Sequence, residues 1–246
     1  MNILIVNPNT TASMTAAIEA TASSAAAPGT VITAVQPDSG PASIEGYYDE
    51  AFAVPGLIDE IRKHPNADAV IIACFDDTGL DAARCITAAP VLGIGEAAFH
   101  LASLVCNKFG VVTTLSRSIA ALQHNLHKYG LAARCAGVRA SEVPVLELEN
   151  PESNARADIS AEIARAIHDD HADAIVLGCA GMTDLAKSLQ DEHRVPVVDG
   201  VVSAVKLAES LIALDLKTSK TTAYAWPRQK TYTGAMKGYA PGAGAE

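Results

Sequence analysis

One local pattern occurs twice in this chain, 105 residues apart. The first copy runs from Asp68 to Leu80 (DAVIIACFDDTGL) and the second from Asp173 to Leu185 (DAIVLGCAGMTDL). Shifting the first by 105 lays its Asp, Ala, Cys, Thr and Leu on their counterparts. In each copy a Cys, Cys74 or Cys179, ends an apolar run of buried type and precedes residues suited to a helix start. A chain that repeats such a unit can face its copies across a cleft, with one thiol on either side of a single carbon atom. That arrangement fits proton exchange at a stereocentre.

The rest of the chain repeats in step with the cysteines. Apolar runs of strand length alternate with Ala-rich stretches of helical period, the pattern of a parallel α/β sheet. The strand runs are continuous rather than alternating, which predicts burial on both faces. Met1 opens a strand that leads into Asn7-Pro8-Asn9-Thr10, and Gly110 opens one that leads into Thr113-Thr114. Each is followed by a second βα unit, the Cys-bearing strand and a Pro-Val strand (Pro90-Val91, Pro196-Val197). The expected fold is therefore α/β: two pseudo-symmetric lobes, each a mainly parallel four-stranded sheet flanked by helices. Residues 1–104 plus 209–246 form the first lobe and 105–208 the second. Strand C-termini should meet at the shared cleft, where open α/β sheets bind ligands.

Composition narrows the function classes. The chain has 246 residues, enough for a substantial core, and is 49% apolar with 19% charged residues. Its net charge of −10 argues against a nucleic-acid or anionic-membrane partner. Five basic residues against one acid from Lys217 onward make a +4 tail on a −14 body. No apolar run reaches the ~20 residues of a membrane span. The first ten residues lack the basic region and cleavage site of a secretory signal. Five cysteines, an odd number at low density, fit a reducing cytoplasm.

Cys74 and Cys179 are the candidate acid and base. A helix N-terminus after each would favour a thiolate and bind a developing oxyanion. Cys85, Cys106 and Cys135 have no matched partner, and Cys85 and Cys106, on helical stretches among Ala and Leu, read as packing residues. No Cys-x-x-Cys or Cys/His spacing marks a metal site, and no glycine-rich fingerprint marks a nucleotide. Asn9 and its turn either cap a helix or hold a ligand carbonyl; Thr113 and Thr114 favour ligand contact. Asp76 and Asp77 oppose thiolate formation unless they turn away or cap the next helix. The segment 45–50 (EGYYDE) reads as a polar, aromatic loop.

Several motifs together resemble the hydantoin racemases of the Asp/Glu racemase superfamily. They are NPNT (7–10), EGYYDE (45–50), ACFDDTGL (73–80), GIGEA (93–97), VTTLSRS (112–118), GCAGM (178–182) and AVKLAE (204–209), and the resemblance runs to about residue 227. It implies racemisation of a 5-monosubstituted hydantoin without metal or other cofactor. One of Cys74 and Cys179 removes the C5 proton and the other delivers one to the opposite face. By position, Asn9, Phe75, Thr113, Thr114 and Gly181 would hold the ring carbonyls and imides. The resemblance also implies a homo-oligomer.

Other readings stay open on the sequence alone. An allantoin racemase applies the same chemistry to a ureido-substituted ring. An Asp or Glu racemase needs a carboxylate and ammonium clamp that is not evident. An arylmalonate-type decarboxylase uses one cysteine. A thiol hydrolase needs a His brought to one Cys by the fold. A two-lobed small-molecule-binding protein has no need of two opposed thiols.

Overall fold

The computed structural model describes residues 1–150 and 152–241. Residues 242–246, the end of the stretch assigned to the first lobe, lie outside the described residues. The first sheet contains β1 (Asn2–Val6), β2 (Val31–Val35), β3 (Ala69–Ile72) and β4 (Val91–Gly93), in the order β2-β1-β3-β4. The second contains β5 (Phe109–Thr113), β6 (Cys135–Ala140), β7 (Ala174–Gly178) and β8 (Val197–Val198), in the order β6-β5-β7-β8. All pairings are parallel, and adding four to each strand number turns one order into the other.

The matched Asp of the repeat has a structural role. Each reaches back to the start of the neighbouring strand. Asp68 Oδ2 accepts from Asn2 N–H at 2.7 Å, and the Asp173 carboxylate accepts from Asn107 and Lys108 N–H at 3.0 and 2.8 Å. Register is thereby fixed at the strand ends opposite the cysteines. Between these anchors β3 (AVII) and β7 (AIVLG) are buried at every residue, as continuous apolar strands covered on both faces should be.

The helices are α1 (Ala12–Ala25), α2 (Tyr47–Lys63), α3 (Leu80–Ile86), α4 (Ile94–Val105), α5 (Ile119–Lys128), α6 (Ala155–His168), α7 (Ala186–His193) and α8 (Gly200–Ala213). Two of them cross between the sheets. Helix α4 follows the first sheet yet packs against β7 and β8, while α8 follows the second and packs against β3 and β4. One apolar core therefore runs through both halves and joins Ile5, Phe99, Phe109, Val176 and Val205. Phe99 is fully buried, with its ring edge-on to Phe75 and stacked on Phe109. Burial of such a ring contributes about 2–3 kcal/mol. This shared core holds the strand C-termini of both sheets in fixed relation.

Helix α2 departs from expectation. It begins at Tyr47, so the expected loop 45–50 supplies the helix's first turn. Gly46, at φ 122°, makes the entry that a side chain would resist. Asp49 and Glu50 then lie in the first turn, where the helix N-terminus favours acids. Asp49 Oδ2 also accepts from Glu45 N–H at 2.9 Å. Among the described residues no helix is long and apolar enough to cross a membrane.

Candidate active site

The two thiols emerge from equivalent strand ends. Cys74 stands two residues beyond β3, and Cys179 directly follows β7. Neither begins an α-helix. Helix α3 starts only at Leu80, and Cys179 precedes a 3₁₀ segment, Ala180–Leu185. The sequence-based expectation of thiolates favoured by helix dipoles is corrected accordingly. Burial pushes both thiols up, Cys74 strongly and Cys179 to about 12. For Cys74 the Asp76 charge adds to burial, and the Thr78 hydroxyl, 3.4 Å from Sγ, works against it. For Cys179 the Gly181 backbone N–H is the opposing influence.

Both cysteines line one cavity of ≈ 30 Å³ between the sheets. Its wall includes six of the seven residues expected at the site (Asn9, Cys74, Phe75, Thr113, Thr114 and Cys179). Asn9 holds together the turn that leads into α1, whose N-cap is Thr11. Its Oδ1 accepts from Asn7 Nδ2 and Thr11 N–H, each at 2.9 Å, while Nδ2 meets only the Met14 thioether at 3.7 Å. That amide donor is free to hold a carbonyl. Thr113 donates its hydroxyl to Gly178 O at 3.1 Å, so it ties β5 to β7 at the cavity floor. Phe75 borders the cavity, but its ring belongs to the core against Phe99, leaving its backbone as the part able to hydrogen-bond a ligand. Gly181 is off the wall, beside the Cys179 sulfur, where a Cβ would approach Leu148 Cδ1 to 2.9 Å.

The neighbouring acids separate into two roles. Asp77, at φ 53°, accepts from Gly95 and Glu96 N–H at 2.9 and 2.8 Å and from the Tyr129 hydroxyl at 2.7 Å. It caps α4 rather than the next helix in sequence. Asp76 instead faces the cavity, and its carboxyl group meets that of Glu50.

Sequence reasoning missed the roof. Ile44 and Val145 close the cavity from loops of opposite halves, and Val145 N–H donates to Glu45 Oε1 at 3.1 Å. Neither loop carries a periodic signal, and the repeat does not extend to them. A space of ≈ 30 Å³ holds a water or two, less than a five-membered ring occupies. A larger surface groove, ≈ 700 Å³, lies between residues 37–41 and α2 but contains no cysteine. The small cavity has the paired chemistry and is taken as the site. No histidine lines its described wall, so the Cys–His arrangement of a thiol hydrolase is not assembled there.

Known proteins share this sequence and fold over nearly the whole chain. The hydantoin racemase of Pseudomonas sp. (strain NS671) is 45% identical over 241 residues, 97% of each chain. That of Rhizobium meliloti is 45% identical over 95% of this chain and 98% of its own. The structure of allantoin racemase from Klebsiella pneumoniae superposes with a TM-score of 0.94 at 46% identity, covering 98% of this chain and 99% of the other. The model of the Asp/Glu/hydantoin racemase family matches residues 3–208, and the chain belongs to that family.

Proposed function

We propose that this racemase inverts C5 of 5-monosubstituted hydantoins by a two-base mechanism on Cys74 and Cys179. The observation that carries the reading is the placement of both thiols on one cavity, at pseudo-equivalent ends of β3 and β7. The C5–H bond lies next to a carbonyl, so its electron pair passes into an enolate when a thiolate takes the proton. The opposite thiol then gives its proton to the other face. Product leaves with the two sulfurs exchanged in protonation state. Asn9 Nδ2 is placed to donate to a ring carbonyl and stabilise the enolate oxygen. Exclusion of water under Ile44 and Val145 strengthens that interaction.

Allantoin is a second substrate reading, since the similarity to an allantoin racemase structure equals that to hydantoin racemases. Polar Asp76 and Thr114 and apolar Ile44 and Val145 share the cavity wall. The test is polarimetry of single enantiomers of 5-benzylhydantoin and allantoin in D₂O. Decay of rotation with one deuterium entering C5 is expected for at least one compound, and the faster one identifies the substituent. Constant rotation for both would remove the substrate assignment.

A further inference from the structure

The cavity contains acidic groups that the two-thiol mechanism does not use. Asp76 lines it beside Cys74, and its carboxyl group lies within hydrogen-bonding reach of Glu50 on the first turn of α2. Two carboxylates in contact at a half-buried site cannot both ionise at low cost. Other groups facing the pair do not relieve it. Asp49 adjoins Glu50 on α2, Asp77 adjoins Asp76 in the β3–α3 turn, Cys74 shares that turn, and Cys179 feels the Asp76 charge from the second sheet. From α5, Asn125 Nδ2 donates to the Asp76 backbone carbonyl at 2.8 Å, not to its carboxyl group. A cation does approach the start of α2, where the Arg117 side chain lies along Gly46, but it is not what governs either carboxyl group. Glu50 Oε1 is buried with no hydrogen-bond partner among the described residues, as expected of an oxygen whose neighbour must itself bring a proton.

We propose that Glu50 and Asp76 share one proton and that this pair, through Asp76, sets how readily Cys74 ionises. The arrangement exists only in the first copy of the repeat. Position 181, the counterpart of Asp76, is Gly, and no acid adjoins Cys179 in sequence. Asp76 is a positioning residue here, acting on the charge of the sulfur. Burial and the Glu50 charge hold its carboxyl up at about 8, consistent with a retained proton near neutral pH. The signs for the two amide variants are opposite. In Asp76→Asn the pair's charge stays on Glu50, farther from the thiol, even above the pH at which Asp76 itself would ionise, and Cys74 ionises more easily. In Glu50→Gln the new amide donates to Asp76 and fixes a full negative charge beside Cys74, which ionises less easily.

The proposal deepens the racemase reading and takes the importance of Cys74 from it, but its test needs no turnover. Iodoacetamide alkylation of the substrate-free protein is followed from about pH 6 to about pH 10, with peptide mass spectrometry resolving Cys74 from Cys179. Asp76→Asn is expected to shift the Cys74 profile down by about one pH unit, about tenfold faster at fixed pH, and Glu50→Gln up by about as much. Cys179 should move less in both. Shifts of Cys74 in the same direction, or none, would overturn the proposal. Should Asp76→Asn fail to fold, Glu50→Gln decides alone: slower alkylation of Cys74 supports the shared proton, and unchanged or faster alkylation refutes it. Loss of the hydantoin assignment in polarimetry would leave these alkylation shifts standing.

Discussion

The two copies of the cysteine motif follow the same backbone course and differ in what surrounds the sulfur. In the first, Thr78 donates to the thiol and Asp76 stands two residues on with Glu50 behind it. In the second, the matched Thr183 turns away to the Ala180 carbonyl at 2.7 Å, and Gly181 offers only its backbone N–H to the sulfur. A racemase must treat mirror-image substrates evenly in its overall equilibrium, but its two bases need not be alike. The repeat supplies opposed geometry, and the departures from the repeat supply unequal electrostatics.

The comparison breaks most severely at the sulfurs. Serine at either position, Cys74→Ser or Cys179→Ser, should lower racemisation on the order of 10³-fold, read by polarimetry, because a hydroxyl is a far weaker base. Thermal melting should show both variants folded. The next effect is on stability. Asp77 satisfies two N–H groups of α4 and the Tyr129 hydroxyl, so Asp77→Ala should cost about 3 kcal/mol in denaturant unfolding. Its counterpart Met182 is buried and apolar, and Met182→Leu should cost under about 1.5 kcal/mol.

Gly181→Asp would make the second copy resemble the first. The added Cβ meets only the flexible end of Leu148, and alkylation of Cys179 should slow about tenfold while Cys74 is little changed. Glu45→Ala removes the roof contact to Val145, worth about 1 kcal/mol, and should speed alkylation of both thiols about fivefold. The two copies also differ in pH dependence. Asp76 is raised from 3.8 to about 8, first by burial, so the stability it lends is full below its unfolded range and lost as pH climbs to about 8. Asp76→Asn escapes that loss, and its melting temperature relative to the parent should rise from about pH 5 to about pH 8.

The strands and most helices were legible because each is a local pattern. Continuous Val/Ile runs gave β1, β3, β5 and β7, and the 105-residue repeat gave the matching of the halves. Cys74 and Cys179 were legible through that repeat alone, since a single buried cysteine is ordinary. The start of α2 was not, because Tyr47, Tyr48 and Asp49 are weak helix formers away from a helix terminus, and the Gly46 entry acts only in three dimensions. The roof residues Ile44 and Val145 come from unrelated loops and carry no spacing signal. The raised thiols also escaped sequence reasoning, which weighs a helix start but cannot weigh desolvation between two sheets.

The central claim is that one thiol serves each face of the same carbon. It is tested most directly by deuterium uptake at C5 in D₂O with Cys74→Ser and Cys179→Ser, each offered both enantiomers of the better substrate. The account predicts that each variant exchanges the C5 proton of one enantiomer without inverting it, and that the two variants choose opposite enantiomers. Exchange of the same enantiomer by both variants, or racemisation by either at the parent rate, would contradict it.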